Sequence, residues 1–283
     1  MSSPLNNPLQ LMFLVKCAQC SKCEGEQNGV TFYRMEYDGT PLIDTPEENL
    51  AGPWYSFRLR GQETRRLLRN VEDVEDYLLV VDRSSPSKRR VAFRYEDLLD
   101  DKPVNLLLLT EIVYSRTSPV VYCNLGLRND SIVTLDEFTT YMILDFDVGG
   151  FFAHANDVGV YRVLEGDGGK NVHVMIQEDD SNFFAGFCSP VPPSSYQVFD
   201  PTQFAKGDLP PELTNRDRLG PGDVGLAMAW KTNALAPEET FIVPVLLFGG
   251  NKKQMTLEDL IRSTCPRVEP LLSKFKTWTT RQG

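Results

Sequence analysis

The chain has 283 residues, 41% of them hydrophobic and 24% charged, the balance of a folded protein with a sizeable core. Its 29 Lys and Arg against 39 Asp and Glu give a formal net charge of -10, which argues against nucleic acid, because an acidic surface repels polyphosphate. The apolar run from Leu11 to Val15 is far short of the ~20 residues a membrane helix needs, and it lacks a basic leader or a small-residue cleavage site. Membrane insertion is therefore not expected, and the chain reads as cytoplasmic.

In chain order, the first nine residues are polar and Pro-rich. Leu11 to Cys17 and Gly29 to Tyr37 read as strands around Cys17, Cys20 and Cys23. Thiolates bind zinc or iron. A tight knuckle can converge sulfurs at this spacing, whereas a flat strand sends them to opposite faces. A fourth ligand is missing nearby, and Cys188, Cys265 or a second chain would have to supply it. The alternative is a set of reduced thiols without a metal.

Asp38-Gly39 is a turn, and Thr40 to Pro53 reads as loop. From Trp54 to Arg60 the pattern alternates, with Tyr55, Phe57 and Leu59 on one face. Tyr77 to Asp82 and Arg90 to Tyr95 read as a strand pair. The basic cluster Lys88-Arg89-Arg90 is expected to be a solvated strand end. Val104 to Arg116 reads as a buried strand, although a short helix has the same signature. Val121, Cys123, Leu125 and Leu127 share one strand face, which makes Cys123 a small buried hydrophobe.

The strand from Tyr141 to Val148 puts Met142, Leu144, Phe146 and Val148 inward, and Tyr141, Ile143, Asp145 and Asp147 outward. Asp145 and Asp147 lie roughly 7 Å apart at strand rise, and turns around Gly149-Gly150 and Asn156-Asp157 can bring Asp157 near, with Asp130 in reserve. Oxygen ligands so placed suit calcium or sugar hydroxyls, or a glycosidase carboxylate pair. The bland alternative is that they solvate an exposed sheet face. An aromatic such as Tyr141 or Tyr161 is expected within reach of a bound sugar ring. The two histidines, His154 and His173, are expected to be structural or solvated.

Further strands are expected at Val158 to Leu164, Asn171 to Gln177 and Asn182 to Cys188. Residues 189–223, rich in proline, read as one long irregular crossover. Val224 to Lys231 and Thr240 to Phe248 read as a hairpin, with Pro244 marking an edge or bulge. Thr256 and Asp259 form a capping-box pattern that starts a helix. A second helix carries the stripe Val268, Leu271, Leu272, Phe275 and Trp278, for docking on the sheets or on a partner.

Together these patterns predict an all-β-dominated fold: a large two-sheet antiparallel β-sandwich with C-terminal helices. Residues 1–48 hold the N-terminal strands and the cysteines, 49–250 the sandwich core, and 251–283 the helical segment. The run of long strands, the proline-rich crossover, the final hairpin ending Leu247-Phe248-Gly249-Gly250 and the helix after it resemble the β-supersandwich of galactose-mutarotase-like proteins. They also resemble the β domains that precede some glucoamylase-type catalytic domains. The resemblance spans residues 50 to 250 and is architectural. The histidines of a mutarotase site have no counterpart, so that activity is not carried over. A nucleophile motif of the Gly-x-Ser-x-Gly kind is absent. The expected function is a non-catalytic binding or assembly protein, with carbohydrate or a protein partner (a second copy included) as ligand. The alternative is a carbohydrate-active enzyme, mutarotase-like or glycosidase-like, using Asp145 and Asp147.

Overall fold

The computed structural model describes residues 8–16, 27–44, 51–63, 65–73, 77–99, 101–115, 118–149, 154–166, 169–203, 212–264 and 268–280. Among them, the first strands are β1 (Leu9–Lys16), β2 (Gln27–Tyr37), β3 (Thr40–Asp44), β4 (Gly52–Leu59), β5 (Arg65–Leu68) and β6 (Val71–Asp73). Then come β7 (Tyr77–Ser85), β8 (Lys88–Leu99), β9 (Lys102–Tyr114), β10 (Val120–Asn129), β11 (Leu135–Asp145) and β12 (Val158–Glu165). The last are β13 (Asn171–Glu178), β14 (Phe183–Ser189), β15 (Ser195–Phe199), β16 (Arg218–Leu219), β17 (Gly225–Leu235) and β18 (Thr240–Asn251), before helices α1 (Leu257–Thr264) and α2 (Val268–Thr279). Thr40–Asp44, expected as loop, is a strand, and the proline-rich crossover contains β15 and β16.

A nine-stranded sheet runs β16-β12-β13-β14-β18-β10-β9-β8-β7, and a five-stranded sheet runs β15-β17-β11-β4-β5. Their facing sides make the main core. Val121, Cys123, Leu125 and Leu127 of β10 meet Met142 and Leu144 of β11, Tyr55 and Phe57 of β4, and Leu226, Met228 and Trp230 of β17 there. A third sheet, β1-β2-β3 with β6 on β2, closes one end; Leu42 and Leu9 meet the sandwich at Gly249, where a Cβ would stand 2.3 Å from Leu42 Cδ1.

The expected β17–β18 hairpin does not form. The turn is real, with Glu239 N–H donating to Ala236 O at 3.1 Å. However, β17 pairs with β11 and β15, whereas β18 pairs with β10 and β14. The turn thus carries the chain from one sheet to the other. Pro244 accordingly lies in an interior strand, not at an edge. Its carbonyl accepts from Ser189 Oγ at 2.8 Å, and the β14 pairing ends at Cys188 opposite Leu246. The missing N–H therefore points where the neighbouring ladder has stopped, and nothing is lost.

The outer face of the large sheet is covered by the helices. Thr256 Oγ1 accepts from Asp259 N at 3.1 Å and donates to Asp259 Oδ2 at 2.7 Å, so the N-cap forms as the sequence predicts. Leu257, Leu260, Ile261 and Val268 pack on Tyr122, Val174, Leu246 and Phe248. Phe275 and Trp278 pack on Ala92, Leu107 and Leu109. Val268, Phe275 and Trp278 of the stripe are thus buried on the chain's own sheet, with Leu271 packed beside them. Arg90, expected to be solvated, meets Glu111 at 2.6 Å and lies 5.0 Å from the Trp278 ring centroid. Among the described residues, no helix is long and apolar enough to cross a membrane.

Candidate functional site

The acidic set comes together at the end of the sandwich, where three sheets meet. Asp145 closes β11 opposite Gly225. The next residues leave the ladder, and Asp147 N–H donates to Leu42 O of the N-terminal sheet at 3.0 Å. Asp157 precedes β12, and its carbonyl accepts from Gly222 N–H at 3.0 Å. Gln177 of β13 ties the parts together, because its Nε2 donates to Asp157 Oδ2 at 2.5 Å and to Phe146 O. Asp223, just before β17, joins the set electrostatically.

These carboxylates are not on a solvated face. Asp157 is 0% exposed and Asp147 5%, and a second layer covers the outer side of β11. Phe199 and Leu213 lie there over Tyr141, Ile143, Ala227 and Ala229. Neither Asp145 nor Asp157 has an ion-pair partner among the described residues. Asp145 Oδ1, Asp157 Oδ1 and Gln177 Oε1 are buried without a hydrogen-bond donor. Burial, reinforced by Asp147, Asp223 and Asp157, pushes the Asp145 carboxyl up to about 8. Burial also pushes Asp157 up to about 7, opposed by the Gln177 hydrogen bond and aided by Asp179 and Asp147. The cluster thus relieves its repulsion by holding protons.

Among the described residues, no group of three or more His, Cys, Asp or Glu is arranged to hold a metal ion. The expectation of calcium at Asp145, Asp147 and Asp157 therefore finds no support. Calcium takes six to eight oxygens around one point, whereas one Asp157 oxygen here already serves Gln177. Cys17, Cys20, Cys23 and Cys265 lie outside the described residues, as does the side chain of His154. Cys123 and Cys188 are buried and not disulfide-bonded. Asp130 sits apart, paired with Arg128 at 2.5 Å.

The two tyrosines diverge. Tyr141 is buried, and its hydroxyl lies 3.1 Å from Ser56 Oγ and 3.4 Å from Arg65 Nη1. Tyr161 is partly buried where β12 meets the edge strand β15 of the other sheet. Its ring stacks on Tyr196 of β15, with centroids 3.6 Å apart and planes 13° apart, and its hydroxyl lies 2.7 Å from His173 Nδ1. Burial lowers the His173 pKa. Asp157 and Tyr161 share one face of β12, roughly 13 Å apart at strand rise. Between them Gly159 lets the second sheet close in, since a Cβ there would stand 2.5 Å from Val198 Cγ1 and 3.0 Å from Leu226 Cδ2. The acidic cluster and the aromatic pair are therefore separate places. Sequence reasoning passed over Tyr196, which sits in the proline-rich stretch, and set His173 aside for want of a partner. The alternation of Ser195, Tyr196, Gln197, Val198 and Phe199 was the available signal.

No protein-family model matches the chain, and no curated protein matches it. The fold is similar to that of a bacterial glucoamylase solved with acarbose, at 9% identity and a TM-score of 0.51, over 91% of this chain and 35% of that one. It is also similar to a polysaccharide lyase, at 12% identity and a TM-score of 0.50, over 93% of this chain and 34% of that one. The chain spans about a third of the length of these proteins. A GalM/aldose epimerase homologue from C. elegans matches over 86% of this chain and 99% of its own, at 7% identity and a TM-score of 0.46. What the first two likenesses show is the fold, a large antiparallel β-sandwich.

Proposed function

We propose that the chain is a non-catalytic β-sandwich module that binds a saccharide on the Tyr161–Tyr196 pair. The observation that carries this reading is the stack itself: two partly buried rings 3.6 Å apart, where β12 of one sheet meets β15, the edge strand of the other. An aromatic face offers flat apolar area for the C–H face of a sugar ring, and the phenol and imidazole at its edge offer hydrogen bonds. The glucoamylase and the polysaccharide lyase of similar fold bear names that concern saccharides, but a fold does not transmit an activity. The enzyme alternative would need Asp145 and Asp147 at a substrate. A side chain 5% exposed, inside a cluster that holds protons, suits a structural junction better.

Affinity electrophoresis in gels containing soluble polysaccharides tests the reading. Wild type should be retarded by at least one glycan, and Tyr196→Ala should lose the retardation while melting within a few degrees of wild type. Base–aromatic stacking contributes about 1–3 kcal/mol, so a loss of about fivefold to hundredfold in affinity is expected. Equal retardation of Tyr196→Ala would remove the site.

A further inference from the structure

The outer face of the five-stranded sheet holds a polar group apart from the tyrosine pair and from the acidic cluster. At its centre is Glu137, where β11 bulges: its register against β4 shifts between Asp136 and Thr139. Glu137 has φ 49°, a left-handed conformation that costs a non-glycine residue on the order of 1 kcal/mol. The bulge turns the carboxylate among three cations from three strands. Arg58 Nη2 of β4 lies 2.6 Å from Oε1, Arg65 Nη2 of β5 lies 3.1 Å from Oε2, and Lys231 Nζ of β17 lies 3.7 Å from Oε2. Some desolvation draws the Glu137 pKa up, but the Arg65 hydrogen bond and the charges of Lys231 and Arg58 hold it below the usual carboxylate range.

Glu137 does not saturate Lys231 and Arg58 among the described residues. Lys231 Nζ has one other acid nearby, Glu212 at 3.8 Å, whose side chain is 75% exposed. Both separations exceed hydrogen-bond distance, so the ammonium makes no close contact with an acceptor among the described residues. Arg58 Nη2 is its nitrogen nearest Glu137, and its Nε is buried without an acceptor. The side chains of Arg58, Arg65 and Lys231 are 30%, 18% and 26% exposed, open enough for a ligand and shielded enough for charge to count. Ser56 Oγ and the Tyr141 hydroxyl lie beside Arg65. In a chain of net charge -10, Arg58, Arg65 and Lys231 outnumber Glu137 and Glu212 here among the described residues.

We propose that Lys231 and Arg58, braced by Glu137 and Arg65, bind the carboxylate group of a small acid or of a uronate-bearing saccharide. The carboxylate would take the ammonium donors that Glu137 and Glu212 leave unused, and its charge would offset the surplus. This site goes beyond the saccharide reading and does not depend on it.

The test is titration of the whole chain with sodium glucuronate, sodium acetate and glucose, read by the shift of the 15N-labelled arginine Nε–H signals and by melting temperature. Glucuronate should bind saturably and more weakly as salt is raised, and glucose should not disturb the Arg58 signal. Lys231→Met, which keeps the aliphatic stem, should weaken glucuronate at least about tenfold, and Arg58→Gln should do the same. Tyr196→Ala should leave it unchanged. Acetate as tight as glucuronate assigns the site to carboxylates in general, and weaker acetate assigns it to acidic saccharides; both keep it. If Lys231→Met, folded by its melting curve, binds like wild type, the inference falls. It also falls if glucose matches glucuronate, or if Tyr196→Ala alone removes binding.

Discussion

Raising the pH from about 6 to about 9 should lower the melting temperature of the wild-type protein, and should do so far less in Asp145→Asn. The folded protein holds the Asp145 carboxyl up to about 8 and that of Asp157 up to about 7, while in an unfolded chain both return to about 4. Between those values the folded state carries protons that the unfolded state has released. Stability from these groups is fully present below about pH 4 and is lost as pH rises through the folded values. Each unit of difference corresponds to about 1.4 kcal/mol per group, so the loss above pH 8 is on the order of several kcal/mol. Asp145→Asn removes one titrating member and lowers the repulsion felt by Asp157. At about pH 8.5 the variant should therefore melt above wild type, and the gap should close as pH falls toward about 4. Parallel melting curves across that range would mean that the cluster is solvated or already neutralised.

The second large effect concerns the C-terminal helix. Phe275 is 0% exposed and its ring lies on the bare side of Gly126, where a Cβ would stand 3.1 Å from Cε1. Phe275→Asp deletes a buried ring and leaves a carboxylate against apolar sheet, which should cost about 4 kcal/mol or more. Urea denaturation should show a sharply lowered midpoint. Phe275→Leu, which keeps most of the apolar volume, should lose far less. Because the stripe lies on the chain's own sheet, the native mass of wild type and of Phe275→Leu should be the same. An unchanged midpoint for Phe275→Asp would mean that α2 is not docked as described.

The strands were legible because side-chain alternation is a local property. The faces of β4, β10 and β11 emerge as their sequences predict, and so does the Thr256–Asp259 cap. What alternation cannot carry is sheet membership. β17 and β18 are consecutive, separated by a good turn, and still belong to different sheets. The Pro244 reading failed for the same reason, since an interior strand tolerates proline once its neighbour has ended. Nor does alternation distinguish solvent from a second layer. Tyr141 and Ile143 face away from the main core as expected, but residues from the proline-rich crossover bury them.

The candidate sites show the same division. That Asp145, Asp147 and Asp157 approach one another follows from turns readable in the sequence, whereas Asp223 and Gln177 enter only through tertiary contacts. Tyr161 was visible as an aromatic on a strand; its partner Tyr196 lies on a five-residue strand framed by prolines. The cations around Glu137 come from three separated strands and a bulge, and no local pattern announces them.

Binding without turnover is the central claim, and one experiment addresses it directly. A glycan that retards the protein in gels would be incubated with it at concentrations well above its dissociation constant. Proton NMR would follow both anomer ratios and chain length over time. The expected result is line broadening of the sugar signals that Tyr196→Ala abolishes, with anomer interconversion and glycan length as in a protein-free control. Faster interconversion, or shortening of the glycan, that is lost in Asp145→Asn would contradict this account and put an enzyme in its place.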